Sequence, residues 1–220
     1  MSSIETLQRE LELAKRHELE LCHRFSTGFD HDEYRAAVAA VLELERQLAA
    51  AQELPYAVPL GFPARWDTGA PLPHLFRNDY KAYLIFYLAT YDPNWDGSYI
   101  KVKHPGDTNA ESLALVEFVG CLGARLGAPN EEVLRGHYLH GRGQESFTAQ
   151  LVRNSPWIAE LRSINSVHER FRASDWDDLK HYVFWFHDST FESVARDYRL
   201  ELHTMTMPDL AQEALRRLLG

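Results

Sequence analysis

"HYVFWFHDSTFE", residues 181–192, decides the fold. From Tyr182 to Phe186 every residue is aromatic or β-branched, and then the chain turns polar at His187, Asp188, Ser189 and Thr190. In an extended chain Tyr182, Phe184 and Phe186 share one face, while Val183, Trp185 and His187 share the other. Both faces are apolar, so this strand sits inside a sheet that is covered on both sides. Asp188, Ser189 and Thr190 are turn residues whose side chains bond nearby amides, which makes the polar end a hairpin corner. His181 and His187 share a face but stand about 20 Å apart along a strand, too far to hold one metal. Neighbouring residues of a strand point opposite ways, so His-Asp-Ser in a row is not a catalytic triad.

Working outward, "SVARDYRLEL" (193–202) reads as the next strand, with Val194, Tyr198, Leu200 and Leu202 inward. Upstream, "KAYLIFYL" (81–88), "SYIKVKH" (98–104) and "SLALVEFVGC" (112–121) alternate with period two, linked by "DPNWDG" and "HPGD". Asp96-Gly97 is a strong hairpin signal, and two short links predict an antiparallel meander. "SFTAQLV" (146–152) is a further strand, Ser155-Pro156 opens a helix, and Pro208 opens a closing one. The fold class is α+β: an antiparallel sheet of about six strands with packed helices.

Residues 1–53 read as an antiparallel two-helix hairpin, like a coiled coil. Ser2 with Glu5 has the form of a capping box, Asp30 caps the second helix, and "FSTGF" with Gly28 breaks between them. Ile4, Leu7, Leu11, Ala14, Leu21 and Phe25 form one seam; Ala37, Val41, Leu44, Leu48 and Ala51 form the other. Leu13, Leu19 and Leu42 widen the apolar face toward a third surface. Residues 54–79 hold five prolines and read as an irregular connector packed on residues 80–220, the antiparallel α+β domain.

The chain has 220 residues, 45% hydrophobic and 25% charged, as in soluble globular proteins. A net charge of −9 with no run of Lys or Arg argues against nucleic acid or an anionic membrane as partner. No apolar run is long enough to span a bilayer, and the charged N-terminus lacks a signal's apolar core. Cys22 and Cys121 fall in different elements, so no disulfide framework is indicated and a cytoplasmic location is expected.

Chemistry has few places to sit. Glu192 and Arg196 fall on the apolar face of their predicted strand, as does Glu117 on its own, and buried charges need partners or a pocket. One reading is a structural pair of Arg196 with Glu192 or Glu117. The other is a pocket in which His187, Asp188, Glu192 and Arg196 act catalytically. Glu117, Trp66 and Trp185 are the candidate binding residues. In "GHYLHGRG" (136–143) His137 and His140 lie three apart, and His168 could add a third nitrogen for a divalent metal. The flanking glycines argue against the helix that such a site needs.

"FHDSTFE" (186–192), "GHYLHGRG" and "NSVHERF" (165–171), within about Tyr80 to Leu202, resemble an uncharacterised bacterial protein family that carries an F-H-D-S-T-F-E motif. The resemblance implies no activity, cofactor or partner. Ser193 stands where that family has a cysteine after the glutamate, which speaks against an essential thiol. Two functions are therefore expected. One is a binding or assembly protein: the sheet domain holds a small ligand or protein partner, and residues 1–53 mediate docking or a homodimer. The alternative is a small, metal-dependent hydrolytic enzyme with a His/Glu/Arg pocket.

Overall fold

A computed structural model describes residues 3–24, 30–90 and 103–220. "FSTGF" and "SYIKV" lie outside the described residues. The chain divides into two compact units. The first holds residues 1–58, 135–145 and 152–156; the second holds 59–134, 146–151 and 157–220.

The first unit is built on α1 (Ile4–His23) and α2 (His31–Ala51). Ser3 caps α1 by accepting from the Thr6 amide, one position later than the predicted box. Asp30 caps α2 as expected, accepting from the Asp32 and Glu33 amides at 2.8 and 3.2 Å. Leu7, Leu11 and Leu21 bury the α1 seam, and Ala37, Val41, Glu45 and Ala49 form the buried line of α2. That line runs at every fourth residue rather than alternating three and four. Leu44 and Leu48 are therefore only half-buried, and Ala51 is exposed. The loop 135–145 accounts for the drift, because it brings a third wall to the side where Glu45 lies. Glu45 Oε2 accepts from the Gly143 amide at 3.2 Å, and Oε1 pairs with Lys15 Nζ at 2.8 Å. Arg46 Nε donates to Ala57 O, and the Ala57 amide donates to Arg142 O.

The strands form two sheets packed face to face about a shared core, which lies mainly in the second unit. In chain order the strands are β1 (Tyr56–Pro59), β2 (His74–Arg77), β3 (Ala82–Tyr87), β4 (Glu111–Val119), β5 (Gly123–Gly127), β6 (Ala149–Arg153), β7 (Lys180–Trp185), β8 (Thr190–Ala195) and β9 (Asp197–Met205). One sheet has the order β2-β3-β4-β9, the other β1-β6-β7-β8-β5. β1 and β6 each run across the division between the units. The helices are α3 (Pro156–Asn165) and α4 (Met207–Leu219).

The period-two pattern of β3 explains the layering. Ala82, Leu84 and Phe86 join Val116, Phe118, Tyr182, Phe184 and Phe191 between the sheets. Tyr83, Ile85 and Tyr87 pack with Leu113, Leu115, Met207 and Leu210 beneath α4. β7 lies at the middle of its sheet with Tyr182 to Trp185 fully buried, as its two apolar faces require. Both edges of β3 are taken, by β2 and β4, and the predicted hairpin at Asp96-Gly97 lies outside the described residues.

The predicted strand 193–202 is in fact two strands in different sheets. β8 pairs with β5 and β7, and β9 pairs with β4. The register changes from Val119↔Asp197 to Gly123↔Val194, so one extra residue sits on the 119–123 side. The core-facing parity nevertheless changes on the β8–β9 side and not on the side with the extra residue, where Val116, Phe118, Ala124 and Leu126 keep it. Phe191 and Ala195 face the core before the bend, and Tyr198 and Leu200 face it afterwards. Gly120 makes the corner at φ +62°, where a Cβ would come within 3.0 Å of Arg196 Cδ. The proline-rich connector likewise contains β1 and β2, both at sheet edges where proline is tolerated.

Candidate functional site

The β7–β8 corner is a built turn. The Phe186 amide donates to Ser189 O, Thr190 Oγ1 to Pro129 O, and the Glu131 amide to His187 O. These bonds bring the 3₁₀ turn Glu131–Gly136 against the corner. His187 Nδ1 lies 2.9 Å from Asp188 Oδ1, and its Nε2 lies 3.2 Å from Glu131 Oε1. The hydrogen bond to Asp188 raises the His187 pKa above the ordinary histidine value, with the charges of Glu131, Asp188 and Glu132 adding to it. Both ring nitrogens thus face carboxylate oxygens. Glu131 Oε2 is buried and has no hydrogen-bond partner. Among the described residues, Glu131, His187 and Asp188 form a group whose ligand atoms lie within 4.8 Å of one another. Asp188 and Ser189 also line a cleft of about 330 Å³ with Pro71, Leu72, His74 and Leu126.

The other predicted catalytic residues stand elsewhere. Glu192 is 4% exposed on the outer face of its sheet, opposite Arg125 on β5. Arg125 Nε donates to Glu192 Oε2 at 2.8 Å, and its guanidinium lies 4.7 Å over the Trp157 ring. His181 Nε2 lies 3.6 Å from the same carboxylate oxygen. Arg196, carried away by the bend, pairs with Asp178 and donates to Asp175 O. Glu117 pairs with Arg199 at 3.3 Å. Neither pairing of Arg196 offered by the sequence forms, because Arg196 lies at the bend between β8 and β9 and reaches Asp178, while Glu192 and Glu117 pair with Arg125 and Arg199.

Trp66 and Trp185 are core residues, 3% and 0% exposed, and present no surface to a ligand. Trp185 Nε1 donates to Gln150 Oε1 at 2.8 Å. His137 and His140 belong to the first unit and His168 to the second. Residues 137–143 form turns rather than a helix. His137 Nδ1 accepts from the Leu139 amide, and His168 Nδ1 accepts from the Arg170 amide. Among the described residues, the ligand group that converges is the one at His187.

A second candidate lies wholly within the first unit. A cleft of about 480 Å³ opens between α1, α2 and the loop at 140–144. Leu19, Val38 and Leu42 give it apolar walls; Glu18, Lys15 and Gln144 give it polar ones. Leu19 and Leu42 are residues predicted to widen the hairpin's apolar face, and here they line the cleft. Leu13 does not line the cleft, although it and Leu19 are equally exposed, at 56%. Burial, then the charge of Glu18 and that of Cys22, push the Tyr34 phenol up from its ordinary value. Gln144 is half-buried, and both atoms of its amide are buried without a hydrogen-bond partner.

Sequence reasoning missed Glu131, Glu45 and Gln144. Glu45 could have been found, because it sits at the four-residue spacing of Ala37, Val41 and Ala49 inside an apolar line. Glu131 and Gln144 lie in loops whose patterns carry no such signal. No helix among the described residues is long and apolar enough to cross a membrane. No protein-family model, curated protein or solved structure matches this chain.

Proposed function

We propose that the protein binds a small ligand, and that the cleft of the first unit is the binding site. The observation that carries this is the Gln144 amide, whose oxygen and nitrogen are both buried and unpaired in a residue that lines the cleft. A buried polar group left without a partner costs about 1–3 kcal/mol, which a bound ligand would recover. The cleft has the size and the mixed lining of small-molecule sites. Lys15 and Glu45 neutralise each other, so the Glu18 carboxylate gives the lining a net negative charge. The ligand is therefore a compact apolar body carrying a protonated amine.

Binding is favoured over hydrolysis because the predicted catalytic set does not come together: Glu192 pairs with Arg125 and Arg196 with Asp178, neither of them at the His187 corner. Ligand capture also fits the hairpin better than dimerisation through residues 1–53, since Leu7, Leu11 and Leu21 of the seam are already buried.

Saturation-transfer NMR with phenethylammonium, and with 3-phenylpropionate as its anionic counterpart, tests the reading. The ammonium should receive saturation from the wild-type protein, less from Glu18→Gln, and none from Leu42→Trp, which fills the cleft. Equal transfer to the anion, or transfer undiminished in Leu42→Trp, would remove the site.

A further inference from the structure

We infer that Glu131 and His187 form a site for a divalent transition-metal cation, with Asp188 as the positioning residue behind the histidine. This lies in the second unit and does not depend on the proposed ligand cleft.

The distances have the form of a coordination shell. A tetrahedral or octahedral centre with bonds of about 2.1 Å sets neighbouring donors about 3.0–3.4 Å apart. His187 Nε2 and Glu131 Oε1 are already separated by 3.2 Å. A cation can take the place of the proton between them while the two groups stay where they are, and that proton leaves to solvent. Glu131 Oε2, buried and without a partner, is a second donor on the same carboxylate.

The surroundings fit as well. Metal-bound histidines usually give their other nitrogen to a carboxylate, which fixes the tautomer and raises the basicity of the ligating nitrogen. Asp188 Oδ1 occupies that position, 2.9 Å from Nδ1. The ligands come from two segments, the 3₁₀ turn and the β7–β8 corner, locked together by the bond from the Glu131 amide to His187 O at 3.1 Å. His187 is 39% exposed and Glu131 22%, so a hydrated cation can reach them and keep water in its remaining positions. One imidazole with carboxylate oxygen suits zinc or manganese better than calcium or magnesium, which prefer oxygen alone.

The test is calorimetric titration of metal-stripped full-length protein with Zn²⁺, paired with Mn²⁺ line broadening in an amide NMR spectrum. The expected result is one Zn²⁺ per chain. Affinity should fall at least tenfold in Glu131→Gln and in His187→Asn, and about 10–100-fold in Asp188→Asn. Mn²⁺ should broaden the amides of residues 131 and 187–189 in the wild type, a readout that needs no variant to fold. Calcium should not compete. Zinc binding that persists undiminished in Glu131→Gln and His187→Asn would overturn the inference by placing the metal on other histidines. So would broadening that is absent from the corner, or no binding below 1 mM.

Discussion

Replacing Gly143 with alanine should weaken the first unit by far more than the loss of a glycine's freedom. Gly143 sits at φ +79°, in a region that costs an L-residue about 1–2 kcal/mol. Its Cβ would also lie 2.5 Å from Arg46 Cγ and 2.6 Å from Ala57 O. The arginine stem can swing aside, but Ala57 O belongs to the backbone and already accepts from Arg46 Nε. Relieving that clash means moving the loop, an overpacking cost of about 1–3 kcal/mol. The total is about 2–5 kcal/mol, or a melting point lowered by roughly 4–20 °C for a chain of this size. Gly141→Ala supplies the control. Gly141 has φ +71°, but its Cβ would meet only Glu45 Oε1, at 4.0 Å, so it bears the conformational cost alone. Ellipticity at 222 nm, to which α1 and α2 contribute strongly, should show Gly143→Ala melting well below Gly141→Ala. Equal melting points would mean that the loop does not clamp the hairpin through this contact.

Two further outcomes test the second unit. Arg125→Ala should destabilise by about 2–3 kcal/mol in urea titrations, because it takes the permanently charged partner from the buried Glu192 carboxylate, which keeps only its remaining contacts, His181 among them. Glu192→Gln should cost less, about 1–2 kcal/mol, since Arg125 is 63% exposed and stays hydrated; the opposite ranking would refute this assignment of the pair. The acid limb of stability should depend on Arg217. Arg216 and then Arg217 hold the Glu213 carboxyl down to about 2, and Arg217 lowers that of Glu201. Depressed carboxyls stabilise the fold above their unfolded values and lose that contribution as pH falls through the folded ones. The wild type's advantage over Arg217→Gln should hold near pH 7 and shrink between about pH 4.5 and pH 2; an advantage that grows on acidification would contradict the sign.

Much of the architecture was legible because strong periodicity reports burial directly. The alternation of residues 81–88 marked a strand, and the run 182–186 announced a central one covered on both sides. The hairpin followed from its seams and from the Asp30 cap. Legibility failed where one residue changes the parity. Nothing in "SVARDYRLEL" marks Arg196 as a corner, because no glycine or proline breaks the run, and the change of parity between Ala195 and Tyr198 follows from pairing with two different sheets. The partners of Glu192 and Arg196 were misread for the same reason. Of the candidate site, His187 and Asp188 were visible as a polar corner. Glu131 was not, since its approach depends on backbone bonds between two loops.

The corner at Gly120 and Arg196 has a consequence for how the molecule comes together. β4 continues into β5, and β8 into β9, so one bent antiparallel ribbon supplies strands to both sheets. Neither sheet can complete its ladder until segments as remote as Glu111 and Met205 have found each other. Contacts of such long sequence separation slow folding, because the loop between them must close before any of its pairing is rewarded. The two sheets should then appear in a single kinetic event. Backbone amides of β4, β5, β8 and β9 should exchange with solvent at a common rate, as members of one cooperative unit.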